Sequence, residues 1–298
     1  MQKPLSTTSD FCWKMPEYKI KSPLRYPGGK SKAISRLSQY IPPFQELREP
    51  FFGGGSVSFY CAQIFPNTKL KASDINYDLY CFWEQLSVDP DPLIEHVWDV
   101  KFKCDNGRAL YQELCGRRDS DLSDLQRAVD FFILNRITFS GTIDSGGYSE
   151  KAFQSRFTTS SIERLEKAKE IARQISFHHA DYHQLLCEPG YDVFLFLDPP
   201  YYSATKSKLY GKKGDLHMHF DHQRFFEELV NCKHRWLVTY DNSEYIRELY
   251  ADFYQLEWEL QYGMNNYKKT TAARGKELLI ANFELVLETQ SLPSRFTQ

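Results

Sequence analysis

Residues 193–201 read VFLFLDPPY, and this stretch decides the fold class. The run from 193 to 197 is apolar at every position, which is typical of a central parallel strand covered by helices on both faces. The segment DPPY follows at the carboxyl end of that strand, where open α/β sheets bind their ligands. The sequence therefore predicts an α/β sheet with a ligand site at this edge.

The segment DPPY offers three kinds of group to a ligand. Asp198 is a charged acceptor, and the fixed φ of about −65° in Pro199 and Pro200 gives rigid carbonyl acceptors without a neighbouring N–H. Tyr201 offers an aromatic face for stacking. These groups suit a planar ligand that donates two hydrogen bonds from one amino group, such as the exocyclic N6 of adenine. The alternative is a strand-ending turn in which the prolines only break the strand.

A glycine-rich segment at residues 49–56, EPFFGGGS, predicts a turn that binds a nucleoside. A strand-like stretch precedes it, and a helical pattern and a second short strand follow, which together form a βαβ unit. Glycines let the backbone approach a nucleotide closely. Asp74 ends the second strand about twenty residues on, the spacing of an acid that binds ribose hydroxyls. Because Ser58 stands where a dinucleotide fingerprint has its third glycine, a plain tight turn is the alternative.

Residues 24–31, LRYPGGKS, are similar to a phosphate loop but lack its first glycine, because Leu24 occupies that position. What is left is a basic segment with no acid between Tyr18 and Gln45. It predicts either a solvated basic face or a site for a carboxylate or phosphates. A short helix is expected over 30–41. Two further basic runs, 206–213 and 262–276, carry tyrosines and suit either solvent exposure or contact with nucleic acid.

The hydrophobic pattern divides the chain into two regions. Between 89 and 175, apolar residues recur at helical spacing over 125–137 and 162–171, on either side of a glycine-containing loop at 140–149. Strand-like stretches resume at 175–179 and continue to a late strand at 277–287. We therefore expect a loose tail at 1–20, an α/β domain built from 21–88 and 176–290, and a mainly helical insertion at 89–175.

The composition excludes several classes of protein. The chain has 298 residues, of which 42% are hydrophobic and 26% charged, as in globular proteins of one or two domains. The net charge of −2 gives no overall attraction to nucleic acid, although binding depends on where charges cluster. No apolar run reaches the ~18 residues of a membrane helix. The seven cysteines form no CxxC pair, which indicates reduced thiols in the cytoplasm and no zinc site.

Four segments, in this order, resemble the Dam-type DNA adenine-N6 methyltransferases of the α-ordered D12 class: LRYPGGKS, EPFFGGGSV, SDINYDLY and DPPYY. The resemblance runs from Ser22 to Phe283. It implies a Rossmann-like seven-stranded methyltransferase sheet, mostly parallel, with 89–175 as the DNA target-recognition domain. It also implies a site-specific DNA-methyltransferase (adenine-specific), EC 2.1.1.72. Such an enzyme moves a methyl group from S-adenosyl-L-methionine to N6 of a flipped-out adenine in duplex DNA and releases S-adenosyl-L-homocysteine.

The resemblance also implies roles for individual residues. The catalytic residues it implies are Asp198, Pro199, Pro200 and Tyr201. The cofactor-binding residues it implies are Tyr26, Pro27, Gly28, Lys30, Phe51, Gly53, Gly55, Ser56, Asp74, Ile75, Asp181, Tyr182 and Asp198. Among these, Lys30 is expected at the methionyl carboxylate and Asp74 at the ribose hydroxyls. The candidates for DNA contact are Asn135, Arg136, Arg156, Lys206 and Lys208. No metal is expected.

Two rival hypotheses keep the same fold. An RNA adenine-N6 methyltransferase would share the cofactor site and differ in the insertion and basic loops. A catalytically silent DNA-binding protein on a methyltransferase fold would not bind the cofactor. The family resemblance further implies GATC as the methylated site, double-stranded DNA as partner, and a cytoplasmic monomer with no membrane association. A cognate restriction endonuclease that acts separately is an additional hypothesis.

Overall fold

A mixed sheet lies at the centre of the fold. The computed structural model describes residues 19–143, 145–203, 220–261 and 274–286. Within them the strands are β1 (Glu46–Glu49), β2 (Lys69–Asp74), β3 (Ile175–His179), β4 (Val193–Leu197), β5 (Arg235–Asp241), β6 (Tyr254–Gln261) and β7 (Arg274–Ala281). Their order is β3-β2-β1-β4-β5-β7-β6. The first five strands are parallel to their neighbours, and β7 is antiparallel to β5 and β6. The predicted seven-stranded, mostly parallel sheet is confirmed.

Helices connect these strands and fill the insertion. The α-helices of the described residues are α1 (Ile34–Leu37), α2 (Ser56–Ile64), α3 (Tyr77–Val88), α4 (Pro90–Lys103), α5 (Gly107–Arg117), α6 (Asp124–Ile137), α7 (Glu150–Arg156), α8 (Thr159–Ala172), α9 (Tyr182–Cys187), α10 (His222–Val230) and α11 (Glu244–Leu249). Over the part of the chain that the structure describes, none of them has the length and hydropathy needed to cross a membrane.

Strand β4 is buried at every position, and its two faces pack against different cores. Phe194 and Phe196 pack in the larger core, which also contains Leu47 of β1. Leu195 and Leu197 face a smaller core on the other side of the sheet. Because side chains alternate along a strand, an apolar run of this length requires cover on both faces. This confirms β4 as a central strand.

The helical insertion shares its core with the sheet. Helices α4 to α8 lie between residues 90 and 172, and the predicted helices at 125–137 and 162–171 are α6 and α8. Ser123 and Gln126 form a capping box that starts α6. Phe132 of α6 and Ile162 of α8 belong to the same buried cluster as Phe194. The insertion is therefore packed on the sheet, and its assignment as a DNA-reading domain stays a prediction.

Two predicted elements have different limits in the structure. The helix expected over 30–41 is a 3-10 turn at Lys30–Lys32, the four-residue α1 and a second 3-10 turn at Ser38–Tyr40. Neither the 3-10 turn at Lys30 nor α1 has a side chain that caps its start, so no long helix is stabilised there. The late strand expected at 277–287 is β7, which ends at Ala281. Beyond that point the Asn282 side chain bonds to the start of β5. Its Oδ1 accepts from Trp236 N at 2.9 Å, and its Nδ2 donates to His234 O at 2.8 Å.

A buried arginine joins β1 to the segment that leads into β4. Arg48 has 0% of its surface exposed. It donates to the carbonyl oxygens of Leu185 (2.8 Å), Glu188 (2.6 Å) and Pro189 (3.1 Å), and to Glu46 Oε1 at 2.6 Å. A Cβ at Gly190 would lie 2.5 Å from Arg48 Nη2, so a glycine is required there. One guanidinium thus satisfies the carbonyls at the end of α9.

We predict that Arg48→Met lowers the free energy of unfolding by about 3–5 kcal/mol, because the buried carbonyls and Glu46 lose their donor. The measurement is urea denaturation at pH 7. Arg173→Met is the matched control, since its side chain is half-exposed and its ion pair with Glu170 spans 3.9 Å. We expect the control to change stability by less than about 0.5 kcal/mol. Equal effects of the two substitutions would contradict the proposed contribution of the Arg48 bonds.

Candidate active site at the carboxyl edge of the sheet

Polar side chains gather where the parallel strands end. Glu49 ends β1, Asp74 ends β2, Asp198 follows β4, and Thr239 lies near the end of β5. Side chains two residues apart share a face of a strand. Leu47, Ala72, Phe196 and Leu237, two positions earlier on these four strands, all belong to the larger core. The four polar groups therefore lie at one edge and on one face of the sheet.

The Asp198 carboxylate is held from two sides. Lys30 Nζ donates to Oδ1 at 2.6 Å and to Oδ2 at 2.7 Å. Thr239 Oγ1 donates to Oδ1 at 2.6 Å. The Asp198 side chain is 21% exposed, whereas that of Lys30 is 3% exposed. The Asp198 carboxylate is thus partly exposed to solvent, whereas the Lys30 ammonium is buried.

The segment YPGGK carries Lys30 into this position through a tight turn. Gly29 N donates to Tyr26 O at 3.0 Å, and Gly28 has φ of 71°, which a glycine adopts without strain. Lys30 also donates to Gly28 O at 3.1 Å and lies 5.2 Å from the centre of the Tyr201 ring. The structure therefore brings Lys30 to the predicted catalytic group.

The Tyr26 ring packs directly on the glycine turn after β1. A Cβ at Gly53 would lie 2.7 Å from Tyr26 Cε1, and Gly53 has φ of 49°. Gly53 N donates to Asp74 Oδ2 at 3.0 Å, and Gly53 O accepts from Trp83 Nε1 at 3.0 Å. The two glycine-bearing segments and Asp74 are thus brought together, as the sequence predicts. Pro27 lies within the Tyr26–Lys30 turn, and Ser56 begins α2 beside Gly55.

Asp74 and its neighbours form an acidic end to β2. Asp74 Oδ1 accepts from Asn76 N at 3.0 Å, which fixes the start of α3. Burial raises the pKa of Asp74. Ile75, the next residue, is 53% exposed and leaves apolar surface beside the carboxylate. A hydroxyl donor and a flat apolar group could both be accommodated here.

Glu49 is a buried acid for which the sequence pattern predicted no role. It accepts from Ser58 N at 3.0 Å and from Ser58 Oγ at 2.5 Å. The Ser58 hydroxyl thus gives Glu49 a donor that a glycine at this position would not supply. Burial, and to a smaller extent the negative charge of Asp198, raise the pKa of Glu49 to about 8. The carboxyl group is therefore largely protonated at neutral pH.

An aromatic cluster adjoins the end of β1. Phe51 stacks on Tyr182 with ring centres 5.4 Å apart, and Phe220 meets both rings. Asp181 caps α9 by accepting from His183 N at 2.9 Å. The predicted cofactor residues Phe51 and Tyr182 thus contact each other, while the cap on α9 occupies one oxygen of Asp181.

Beyond Tyr201 lies a second polar and aromatic group that the sequence reading missed. Tyr202 stacks on Tyr245 with ring centres 4.4 Å apart. His222 Nδ1 lies 2.9 Å from Tyr240 Oη, and burial lowers the pKa of His222. Asp241 Oδ2 accepts from Ser203 N at 3.2 Å, which holds the chain just after DPPYY. The position of Asp241 at the end of a strand is the signal that could have found it.

The candidate DNA residues of the insertion lie in different settings. Asn135 is 1% exposed, and its amide bonds Arg25 N and O at 3.0 and 2.9 Å and Gly141 O at 3.2 Å. It ties the segment before YPGGK to the turn at Phe139–Gly141, so the geometry favours a supporting role over direct DNA contact. Lys206 and Lys208 lie outside the described residues.

Arg136 is at the centre of a group of positive charges. It is 3% exposed, and its Nε has no hydrogen-bond partner among the described residues. Burial, together with the charges of Arg164, Arg25 and Arg156, lowers the pKa of Arg136 to about 9. It is still a cation at neutral pH. Four arginines, Arg25, Arg136, Arg156 and Arg164, thus form the arginine cluster, which brings together residues from the first basic segment, α6, α7 and α8.

No group of three or more His, Cys, Asp or Glu side chains within residues 19–143, 145–203, 220–261 and 274–286 could hold a metal ion. The polar side chains at the carboxyl edge include carboxylates as acceptors and one lysine and one threonine as donors.

Comparison with known proteins identifies a family whose model matches most of this chain. A family model described as D12 class N6 adenine-specific DNA methyltransferase matches residues 26–264. A DNA N-6-adenine-methyltransferase of Escherichia phage P1 is 25% identical over 244 residues, which are 78% of this chain and 31% of that protein. A DNA adenine methylase of Vibrio cholerae serotype O1 is 27% identical over 186 residues, 60% of this chain and 64% of the relative.

A third relative matches over more of its length. The type II methyltransferase M.CviBI of Paramecium bursaria Chlorella virus NC1A is 23% identical over 257 residues, which are 82% of this chain and 91% of that protein. The chain spans 31% and 64% of the length of the first two relatives.

We predict that the stability of the protein depends on pH through Glu49. The folded chain keeps the Glu49 proton up to about pH 8, whereas the unfolded chain loses it near the ordinary value of 4.5. The stability that this proton supplies is complete below about 4.5 and is lost as the pH rises toward 8. Relative to Glu49→Gln, the wild type should lose roughly 1.4 kcal/mol per pH unit over that window.

The measurement is the free energy of unfolding of both proteins by urea titration at pH 5, 6, 7 and 8. Glu163→Gln, at an exposed position of α8, serves as the control and should give a difference that is flat with pH. A difference between wild type and Glu49→Gln that does not change over this range would show that Glu49 titrates normally.

Proposed function

The chain belongs to the D12 class N6 adenine-specific DNA methyltransferase family, and from this premise we propose that it methylates N6 of adenine in duplex DNA with S-adenosyl-L-methionine. The observation that carries the proposal is the Asp198 carboxylate, which is partly open, anchored by Lys30 and Thr239, and followed by Pro199 and an aromatic ring. That set of acceptors matches an amino group with two N–H donors.

The carboxyl edge fits the proposed cofactor. Asp74 uses each of its oxygens once, for Gly53 and Asn76, and keeps further acceptor positions for ribose hydroxyls. Ile75 exposes apolar surface beside it, and the stacked pair of Phe51 and Tyr182 gives an aromatic wall. Lys30 directs its three N–H donors to Asp198 and Gly28 O in this structure, and we propose that it exchanges one of them for the methionyl carboxylate when the cofactor is bound. The remaining residues proposed to bind the cofactor are Tyr26, Pro27, Gly28, Gly53, Gly55, Ser56, Asp181 and Asp198.

The target adenine must leave the DNA helix to reach Asp198. Flipping costs a few kcal/mol, and stacking on Tyr201 can return about 1–3 kcal/mol of it. The two N–H groups of the amine would donate to the Asp198 carboxylate and to the Pro199 carbonyl. Both acceptors stabilise the positive charge that develops on nitrogen as it attacks. Pro200 keeps this backbone rigid.

The cofactor supplies an electrophilic methyl group and leaves as S-adenosyl-L-homocysteine. The residues of the chain hold the amine in line with that group, and such positioning provides a large part of the rate. The nitrogen would gain one N–C bond as the S–C bond to the sulfonium methyl breaks, and one N6 proton would pass to solvent. No covalent bond to the protein is required, so no cysteine takes part.

The arginine cluster supports DNA as the substrate. Its four positive charges lie together at the junction of the insertion and the YPGGK segment, and the Nε of Arg136 has no hydrogen-bond partner among the described residues. Such a cluster suits phosphate groups. Phe139 is 63% exposed in the turn that Asn135 ties to this junction, and an exposed aromatic ring beside cations suits contact with bases. Lys206 and Lys208 are further proposed DNA residues, whereas the buried Asn135 is proposed to support this junction without touching DNA.

Several finer points belong to the same proposal. We propose the activity EC 2.1.1.72, with GATC as the first sequence to test. We also propose that the chain acts as a cytoplasmic monomer and that a cognate restriction endonuclease, where one exists, acts separately.

We predict that Asp198→Ala abolishes formation of N6-methyladenine while the variant still binds duplex DNA, because the acceptor of the amine is lost and the DNA surface is intact. The measurement is mass spectrometry of nucleosides after incubation of unmethylated DNA with the protein and cofactor. Sequencing of the product identifies the methylated context. Asp252→Ala, at an exposed position after α11, is the control and should keep full activity.

Three outcomes would overturn parts of this proposal. Turnover that persists in Asp198→Ala would exclude the mechanism. Preference for RNA in a competition between RNA and duplex DNA would change the substrate. A wild-type protein that binds DNA but gives no heat on titration with the cofactor would be a silent DNA-binding protein.

We predict that Arg156→Gln weakens binding to all DNA sequences alike and lowers the slope of log K against log salt by about 1, because one phosphate contact is removed. Fluorescence anisotropy at several salt concentrations measures this. Arg173→Gln is the control, because Arg173 follows α8 at the end opposite to the arginine cluster. An unchanged slope for Arg156→Gln would place DNA elsewhere.

A further inference from the structure

The two oxygens of Asp198 are not equivalent. Oδ1 accepts two hydrogen bonds, from Lys30 Nζ and from Thr239 Oγ1, both at 2.6 Å. Oδ2 accepts one, from Lys30 Nζ at 2.7 Å, and has no second donor among the described residues. A carboxylate oxygen offers about two acceptor positions. Oδ1 is therefore saturated, whereas Oδ2 keeps one position for a ligand.

The asymmetry arises from the register of β4 and β5. The last pair between these strands is Leu197 with Val238. The residues that follow this pair on the two parallel strands are Asp198 and Thr239. Their side chains therefore lie side by side on one face of the sheet. Thr239 is 0% exposed, and its hydroxyl donates to the Asp198 carboxylate. The strand pairing, and not a flexible loop, fixes the position of this donor.

We infer that Thr239 is a positioning residue for methyl transfer. Its hydroxyl anchors Oδ1 of Asp198 so that Oδ2 is the oxygen that accepts the hydrogen bond from N6–H of the flipped adenine. Lys30 alone contacts both oxygens and leaves the rotation of the carboxylate about its Cβ–Cγ bond open. The two oxygens are chemically equivalent, so the hydroxyl of Thr239 acts by fixing the plane of the carboxylate and by occupying one oxygen. This inference rests on the proposed function and adds to it the orientation of the acceptor.

The test removes the hydroxyl and keeps the shape. In Thr239→Val the new valine side chain has nearly the same volume as threonine but lacks the hydroxyl. In Thr239→Ser the hydroxyl donor is kept. Thr68→Val is the matched control, because its hydroxyl donates to the carbonyl of Phe65 at 2.8 Å and lies in the loop before β2, at the opposite edge of the sheet. For each variant the single-turnover rate of methylation, the KM for duplex DNA, the Kd for the cofactor and the melting temperature are measured.

We expect Thr239→Val to lower the rate constant roughly 10- to 100-fold, as for a misplaced catalytic group. The KM for DNA and the Kd for the cofactor should stay within about threefold, because binding does not use the hydroxyl. Thr239→Ser should recover most of the rate, and Thr68→Val should react like the wild type. A purely structural role would lower the melting temperature and leave the rate constant of the folded enzyme unchanged.

A second pair of variants covers the case in which valine prevents folding. Thr239→Ala and Thr239→Ser differ only in the hydroxyl, so equal rates in these two variants overturn the inference. Wild-type rates in Thr239→Val together with an inactive Asp198→Ala also overturn it and leave the proposed function intact. No methylation by the wild type would overturn the function and this inference together.

Discussion

The ion pair between Lys30 and Asp198 is the interaction on which the candidate site depends. It joins residues 168 positions apart in the chain, and the lysine side chain is 3% exposed. A buried ammonium is costly unless its hydrogen bonds are made. Here its donors reach both carboxylate oxygens and the carbonyl of Gly28. The YPGGK turn, the end of β4 and the glycine turn under Tyr26 all meet around this pair.

Negative charge dominates the same edge. Glu49, Asp74, Asp198 and Asp241 end four parallel strands or follow them directly, and within the described residues Lys30 is the lysine that bonds to one of them. Burial raises the pKa of Glu49 to about 8, so that one of these acids is neutral in the folded chain near pH 7. An acidic edge of this kind suits a sulfonium cofactor and an amine that becomes positive as it reacts.

The insertion provides the opposite charge. Asn135 fastens the turn at Phe139–Gly141 to the backbone of Arg25, next to the arginine cluster. A group of positive charges therefore lies beside the segment that carries Lys30. The net charge of −2 conceals this arrangement because it sums an acidic edge and a basic junction. Where the charges lie decides which partner the protein can bind.

The sequence alone predicts the sheet class, the central position of β4, and Asp74 and Asp198 at the carboxyl edge. Local rules suffice for these features, since an apolar run, two glycine turns and an acid at the end of two strands are readable from spacing, whereas Glu49, Thr239 and Asp241 were not predicted there. The tertiary structure decided which atoms meet: Lys30 with Asp198, Thr239 with Oδ1, Ser58 with Glu49 and Asn135 with Arg25. Such pairs depend on strand register and on contacts between distant segments. The sequence pattern carries no direct information about either, because a shift of one residue in register would turn every side chain to the other face.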